Sequence, residues 1–435
     1  MAWETALLLY GFIVICCIAL GVGIGTAMGL VGIVGLVLMS GTQLWPSLGD
    51  IVFNTLTSFT LVSVPLFLLM GEIILFSGLS KRFYNGMSVL LSPIPGALAY
   101  CNVVGCAMFA ALCGSSVATA ITIGTVALPE MRRRGYDDRL TVGTLTGGGT
   151  LGILIPPSIP LVVYGGITNE SVIDLFMAGV IPGITLAGLF MVYIAGWSLL
   201  NRDRVPRVES TLNLRNLGSA LVDCVPVTAL ILAIFYSMYF GVVTPTEAAA
   251  FGCLLALLLA CAFRQISWRV IWEAVGRTVA TTSVVMFIVI NAQFLSFAVV
   301  QAGIGRGIAG AMVHLNVSPL MFLGLLFVIY LVLGMFLDGL SMMLLTIPLL
   351  YETMMQMGFN SIWLGIIMVI FIELGALTPP MGLNLFAIQS ISPGLTLAEA
   401  AWSSLPFALI ISAYVFVLYF FPGIVLFLPR LMKAA

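Results

Sequence analysis

Two short stretches carry the residues with the most chemical potential. Thr146 to Gly165 reads TGGGTLGILIPPSIPLVVYG, and Glu373 to Leu385 reads ELGALTPPMGLNL. Each sets a glycine ahead of a proline pair: Gly152 before Pro156-Pro157, and Gly375 before Pro379-Pro380, 223 positions later. Proline lacks an N–H and its ring collides with a carbonyl one turn earlier, so neither stretch can stay an unbroken helix. Gly147, Gly148 and Gly149 add backbone freedom before the first break. Both stretches are apolar enough for a membrane, where unpaired carbonyls survive only buried in protein or lining a polar cavity. Carbonyls freed there suit a desolvated cation, and the restarting helix N-terminus suits an anion. One break alone would read equally well as a kinked helix. Two, at corresponding positions of a hydrophobic chain, point to a transporter built from two repeats.

Composition agrees with that chemistry. Over 435 residues, 61% are hydrophobic and 8% charged, the usage of a polytopic helical membrane protein. A net charge of −1 and a single histidine leave no nucleic-acid footprint and argue against a dedicated metal site. Cys16, Cys17, Cys101, Cys106, Cys113, Cys224, Cys253 and Cys261 lie in or beside apolar runs without metal-ligand spacing, and read as small buried hydrophobes. No removable signal peptide is expected. No nucleophile–base pair is evident, so the chain is not expected to be an enzyme.

The elements that must position the two breaks follow in order. Residues 5–40 exceed one ordinary pass and are divided by Gly21, Gly23 and Gly25 into two helices. Residues 43–56, with Trp45 and Asp50, read as an interfacial arm helix, and 58–78 as a third span. From 85 to 129, small residues crowd around Cys113-Gly114-Ser115-Ser116. That is either close helix packing or the tip of a re-entrant hairpin, and the chain must return to the side that Lys81 and Arg82 left. The broken helix 141–165 follows, then a span started by the capping pair Ser171 and Asp174. Residues 201–216 are the most polar stretch and read as the hinge between halves.

The second half repeats the pattern. Gly241, Val242 and Thr246 stand 220 positions after Gly21, Val22 and Thr26, and Pro348 stands 219 after Pro129. Thr244-Pro245-x-Glu247 is a capping box with proline at the first helical position. Residues 264–277 match the first arm helix, 317–350 a second hairpin, and 361–390 the second broken helix; Thr396 and Glu399 cap the last span. The fold class is therefore all-α and polytopic, with repeats over 1–205 and 206–435. Each repeat has five crossings, one of them broken, plus a hairpin and an arm helix. Five is odd, so the repeats are expected to be inverted. With the N-terminus outside, thirteen of the Lys and Arg residues face the cytoplasm and only Arg306, Arg430 and Lys433 face out.

With these elements in place, the chain resembles the ion-transporter superfamily of elevator carriers. LGILIPPSIPLVVYG (151–165), LFMAGVIPGI (175–184) and ELGALTPPMGLNLF (373–386) resemble the large membrane subunit of tripartite ATP-independent periplasmic (TRAP) transporters, and the resemblance covers nearly the whole chain. It implies a multi-pass bacterial inner-membrane subunit of a Na⁺-coupled importer. The cargo implied is an organic anion, a sialic acid or C4-dicarboxylate, delivered by a periplasmic substrate-binding protein. It also implies a small four-helix membrane subunit of the Q type, and no cofactor, Na⁺ being the coupling ion. The alternatives are a stand-alone anion or carboxylate carrier of the same superfamily and, in another class, a channel or membrane scaffold.

Carried over by position, the resemblance implies a sodium site at Gly334, Gly375, Thr378 and Met381, largely through backbone carbonyls. The repeat register maps the last three to Gly152, Ile155 and Ser158, which with Ser115 and Ser116 would form the other site. Substrate would lie between, near Ser116, Pro157, Asp338, Pro380 and Asn384. Many relatives are richer in glycine at the first hairpin tip, where this chain has Cys113 and Val117. Three other ionisable residues carry two readings each: Glu72 is equally a functional intramembrane group or a helix contact, Glu373 an orienter of freed backbone ahead of a substrate ligand, and His314, at the start of the second hairpin, a surface or packing residue ahead of a proton relay. The inverted reading makes a direct prediction. Cysteine labels introduced beside Arg133 and Arg207 react only from the cytoplasm and one beside Asn169 only from outside; periplasmic labelling at Arg207 overturns it.

Overall fold

The computed structural model describes residues 2–41, 43–201, 204 and 214–434. Among the described residues every regular element is a helix, twenty in all. The first ten are α1 (Trp3–Ala19), α2 (Ile24–Ser40), α3 (Trp45–Leu56), α4 (Phe59–Phe76), α5 (Leu79–Leu90), α6 (Ala97–Cys113), α7 (Ser116–Arg133), α8 (Asp138–Leu154), α9 (Ile159–Thr168) and α10 (Val172–Leu200). The others are α11 (Leu214–Tyr239), α12 (Pro245–Ala262), α13 (Trp268–Gln301), α14 (Ile304–His314), α15 (Pro319–Gly334), α16 (Gly339–Gln356), α17 (Ser361–Ala376), α18 (Leu383–Ser390), α19 (Leu397–Phe420) and α20 (Gly423–Ala434). With α8 and α9 taken as one, seven are long and apolar enough to cross a membrane.

Both proline pairs end a helix and a new one begins after them, and both hairpins are present as α6–α7 and α15–α16. The boundaries differ in instructive ways. The first hairpin begins at Ala97 rather than near 85, because Ser92-Pro93-Ile94-Pro95-Gly96 stops α5 and Gly96 restarts the chain at φ 83°. The second runs from Pro319 to Gln356, and α14 precedes it as a separate helix whose last residue is the exposed His314. Residues 268–277 are not a detached arm. Nothing between Trp268 and Gln301 breaks a helix, so arm and span form one helix of 34 residues. In the polar stretch at 201–216, Arg202, Arg207 and the boundary at 205/206 lie outside the described residues. Five cysteines are buried, whereas Cys261 is exposed.

Helix ends obey local chemistry. The Thr244 and Thr396 hydroxyls accept from the amides of Glu247 and Glu399, whose carboxylates accept the capping amides in return. Ser171 caps α10 through the Asp174 amide at 3.2 Å. At the far end of the chain, the Lys433 ammonium of α20 sits 2.8 Å from the nearly buried Asp174 carboxylate, which holds the lysine above its usual range.

The helices pack in two groups. In one, α2 lies along α13, α4 along α12 and α13, and α11 along α5 and α12. Arg82 of α5 fixes this group at one end. Its guanidinium donates to Asp223 of α11 at 2.7 and 2.9 Å and stacks 4.3 Å from the Phe263 ring. In the other group α6, α7 and α19 surround α8, α15 and α16 flank α17, and α18 rests on both α7 and α8. The groups meet where α4 touches α6 and α9, where α5 touches α6 and α7, and where α13 touches α16. α8 and α17 are buried along nearly their whole length, so the two interrupted helices form the core of the second group. α8 is polar for such a place, but Thr144, Thr146 and Thr150 return their hydroxyls to carbonyls three or four residues back, at 2.7–3.1 Å. Its glycines admit neighbours: Gly143 and Gly147 meet Phe407 of α19, and Gly148 meets Cys106 of α6.

Close approach also governs the first group. A methyl on Gly32 of α2 would sit 2.5–2.7 Å from the Phe294–Leu295 backbone, whereas one on Gly188 of α10 would meet nothing within 4 Å. Gly32→Ala should therefore lose about 1–3 kcal/mol by overpacking. Gly188→Ala should be neutral or slightly stabilising. Thermal unfolding in detergent decides, and equal melting points for the two variants contradict this packing.

Candidate functional site

The first break and the first hairpin tip are built against each other. α8 ends at Leu154, Ile155 turns extended, and α9 starts at Ile159 after the buried Pro156-Pro157-Ser158. Both proline pairs, here and at Pro379-Pro380, are joined by cis peptide bonds. Opposite, the hairpin reverses at Gly114, whose φ of 61° suits glycine. A Cβ on Gly114 would stand 2.8 Å from the Pro157 carbonyl, and one on Gly152 would stand 2.7 Å from the Ser115 carbonyl. Ser115, Ser116, Gly152 and Pro157 are thus brought together. Ile155 packs its side chain against Gly183 of α10.

Two helix starts here are short of side-chain caps. Ser158 precedes α9, but its hydroxyl donates to the Ile153 carbonyl and none of the α9 amides receives a side-chain cap. Gly382, at φ 34°, precedes α18 and has no side chain to offer. The first turn of each carries the positive end of a helix dipole.

The second break is more open. Gly334 at the end of α15 lies directly on Gly375 of α17, where a Cβ on Gly375 would be 2.9 Å from the Gly334 Cα. Thr378 returns its hydroxyl to Leu374 at 2.8 Å. Pro379, Pro380 and Met381 are exposed, Met381 by 49%. Asp338 caps α16, accepting from the Ser341 amide at 3.1 Å and from its hydroxyl, both within that turn.

One side chain ties the halves together. Ser116, at the first hairpin tip, donates to Asn384 Oδ1 on α18 at 2.7 Å, and Asn384 Nδ2 donates to the Thr146 carbonyl of α8 at 3.4 Å. Asn384 is fully buried. The resemblance named Ser116 and Asn384 together among the residues near substrate, while their hydrogen bond and the part of Thr146 are seen only in three dimensions. Thr119, one turn into α7, is fully buried and its hydroxyl has no partner; it too escaped the sequence reading. Glu373 departs from expectation. It is fully buried in α17 and neither carboxyl oxygen bonds any group, so it does not orient the freed backbone. Among the described residues no three His, Cys, Asp or Glu side chains converge.

Comparison with known proteins fits this arrangement. Residues 11–424 match the family described as "Tripartite ATP-independent periplasmic transporter, DctM component". The C4-dicarboxylate TRAP transporter large permease protein DctM of Pseudomonas aeruginosa is 33% identical over 406 residues, covering 93% of this chain and 94% of that protein. Its counterpart from Rhodobacter capsulatus is 30% identical, covering 98% of this chain and 99% of the relative. Among solved structures, the Alcanivorax borkumensis YdaH transporter superposes with a TM-score of 0.58 at 14% identity, covering 88% and 90% of the two chains, a likeness of fold. The chain therefore belongs to the DctM family, the large membrane subunits of TRAP transporters, and is a multi-pass protein of the bacterial inner membrane.

Proposed function

We propose that this subunit imports an organic anion together with Na⁺, working with a small membrane subunit and a periplasmic protein that delivers the substrate. The observation that carries the reading is the Ser116–Asn384 hydrogen bond, which joins a hairpin tip from one half to the restarted helix of the other. It sets the uncapped start of α18, which follows the second break, against the hairpin tip that lies on the first break. Carbonyl and hydroxyl oxygens are the ligands a hard monovalent cation takes, and helix N-termini suit a carboxylate. Ser115, Ser116, Gly152, Ile155 and Ser158 would hold one Na⁺; Gly334, Gly375, Thr378 and Met381 the other. The anion would lie near Ser116, Pro157, Asp338, Pro380 and Asn384. Two relatives named for C4-dicarboxylate transport support a carboxylate as cargo.

The same reading takes residues 1–205 and 206–435 as inverted repeats and the group centred on α8 and α17 as a body that slides against the group of α2, α4, α12 and α13. The segregation of contacts into two groups supports it. The experiment is uptake into proteoliposomes holding this chain and its small subunit. Uptake should require both the cognate binding protein and a Na⁺ gradient. Thr378→Val removes one oxygen without changing shape and should raise the Na⁺ needed for half-maximal rate by roughly fivefold or more, the effect of losing one buried polar partner. Equal uptake without the binding protein reassigns the chain to a stand-alone carrier, and uptake on a proton gradient in Na⁺-free buffer rejects Na⁺ coupling.

A further inference from the structure

We propose that the Thr119 hydroxyl is a ligand of the cation held at the first break, an inference that rests on the Na⁺ reading above. Buried threonines around it show the usual behaviour: Thr144, Thr146, Thr150 and Thr346 all turn their hydroxyls back to carbonyls of their own helices. Thr119 does not. It is 0% exposed and Oγ1 has no partner. The Thr119 amide bonds Ser115 O at 3.1 Å, as a helix amide should, but the hydroxyl does not join it there.

Gly152 shows where the hydroxyl is turned. A Cβ on that glycine would stand 2.7 Å from Ser115 O and 2.9 Å from Thr119 Oγ1. Both oxygens therefore border the space that a side chain at 152 would take. That space lies on the last turn of α8, where helix carbonyls run out of amide partners and the dipole is negative. Oxygen lone pairs converging at the negative end of a helix call for a positive charge, and a hydroxyl offers two lone pairs while its proton can point away. Ligation by a small hard cation would satisfy an oxygen that otherwise stays stranded, and glycine at 152 keeps the space clear. Thr119 stands at the third residue after Ser116, so one turn of α7 presents both.

The purified complex with its small subunit should be studied as wild type, Thr119→Val and Thr119→Ser. Two readouts serve: the Na⁺ concentration giving half-maximal thermal stabilisation, and equilibrium binding of radioactive Na⁺. Valine keeps the shape and removes the oxygen, so half-saturation should rise roughly fivefold or more; serine keeps the oxygen and should stay within about twofold of wild type. A valine variant that binds Na⁺ like a responsive wild type overturns the Thr119 assignment alone. Serine weakening Na⁺ as much as valine shows a packing effect and also overturns it. A wild type that neither binds nor responds to Na⁺ overturns both this assignment and the reading beneath it. If the valine variant does not fold in Na⁺-free buffer, Thr119→Ala is judged by the same criteria.

Discussion

A backbone carbonyl without a hydrogen-bond partner cannot face hydrocarbon, and the rest of this fold depends on that constraint. Each proline pair supplies no N–H to the turn before it, so carbonyls there turn to other donors: Ile153 accepts from the Ser158 hydroxyl, and Leu374 and Gly375 accept from the amides of Leu377 and Thr378. Such turns need protein or polar solvent around them. α8 and α17 are accordingly the most deeply buried helices, and each break has a hairpin laid against it. The glycines and threonines of α8 follow from the same need. A helix encircled by α6, α7 and α19 has to be thin where they touch it, and its polar side chains must be satisfied locally.

The two breaks answer the constraint differently. At the first, Gly114 and Gly152 let the hairpin tip close over the gap, and the prolines are buried. At the second, the Gly334–Gly375 contact brings backbones together one turn earlier and leaves the prolines exposed. Nearly identical sequence motifs thus end in unlike surroundings, because shielding is a property of the neighbours.

That difference marks how far the sequence could be read. Interruptions written in proline, glycine and capping residues were legible: both broken helices, the glycine turn after α1, the caps at Ser171, Thr244 and Thr396, and the general position of each hairpin. Short amphipathic helices were not. α5, α14 and α20 adjoin stronger apolar runs and were not read as separate helices, although Gly78, Gly303 and Pro422-Gly423 mark their starts. The detached second arm was a wrong inference by analogy, since 264–277 lacks the break that follows the first arm. Within the site, the family resemblance pointed to Ser116 and Asn384, but a bond between residues 268 apart is set by tertiary packing. Thr119 was invisible because only its unpaired hydroxyl distinguishes it from the threonines around it.

The linker Leu91–Gly96 sets a mechanical limit. α5, just before it, is clamped to α11 and α12 through Arg82, Asp223 and Phe263, while α6, just after it, packs on α8. Six residues pulled straight reach roughly 20 Å. Any sliding of the hairpin-bearing body past the clamped helices must first peel α6 and α7 away from α5, and then stops when this strand is taut. In the sliding motion proposed above, the length of this proline-containing tether would bound the stroke, with Pro93 and Pro95 stiffening it against coiling back.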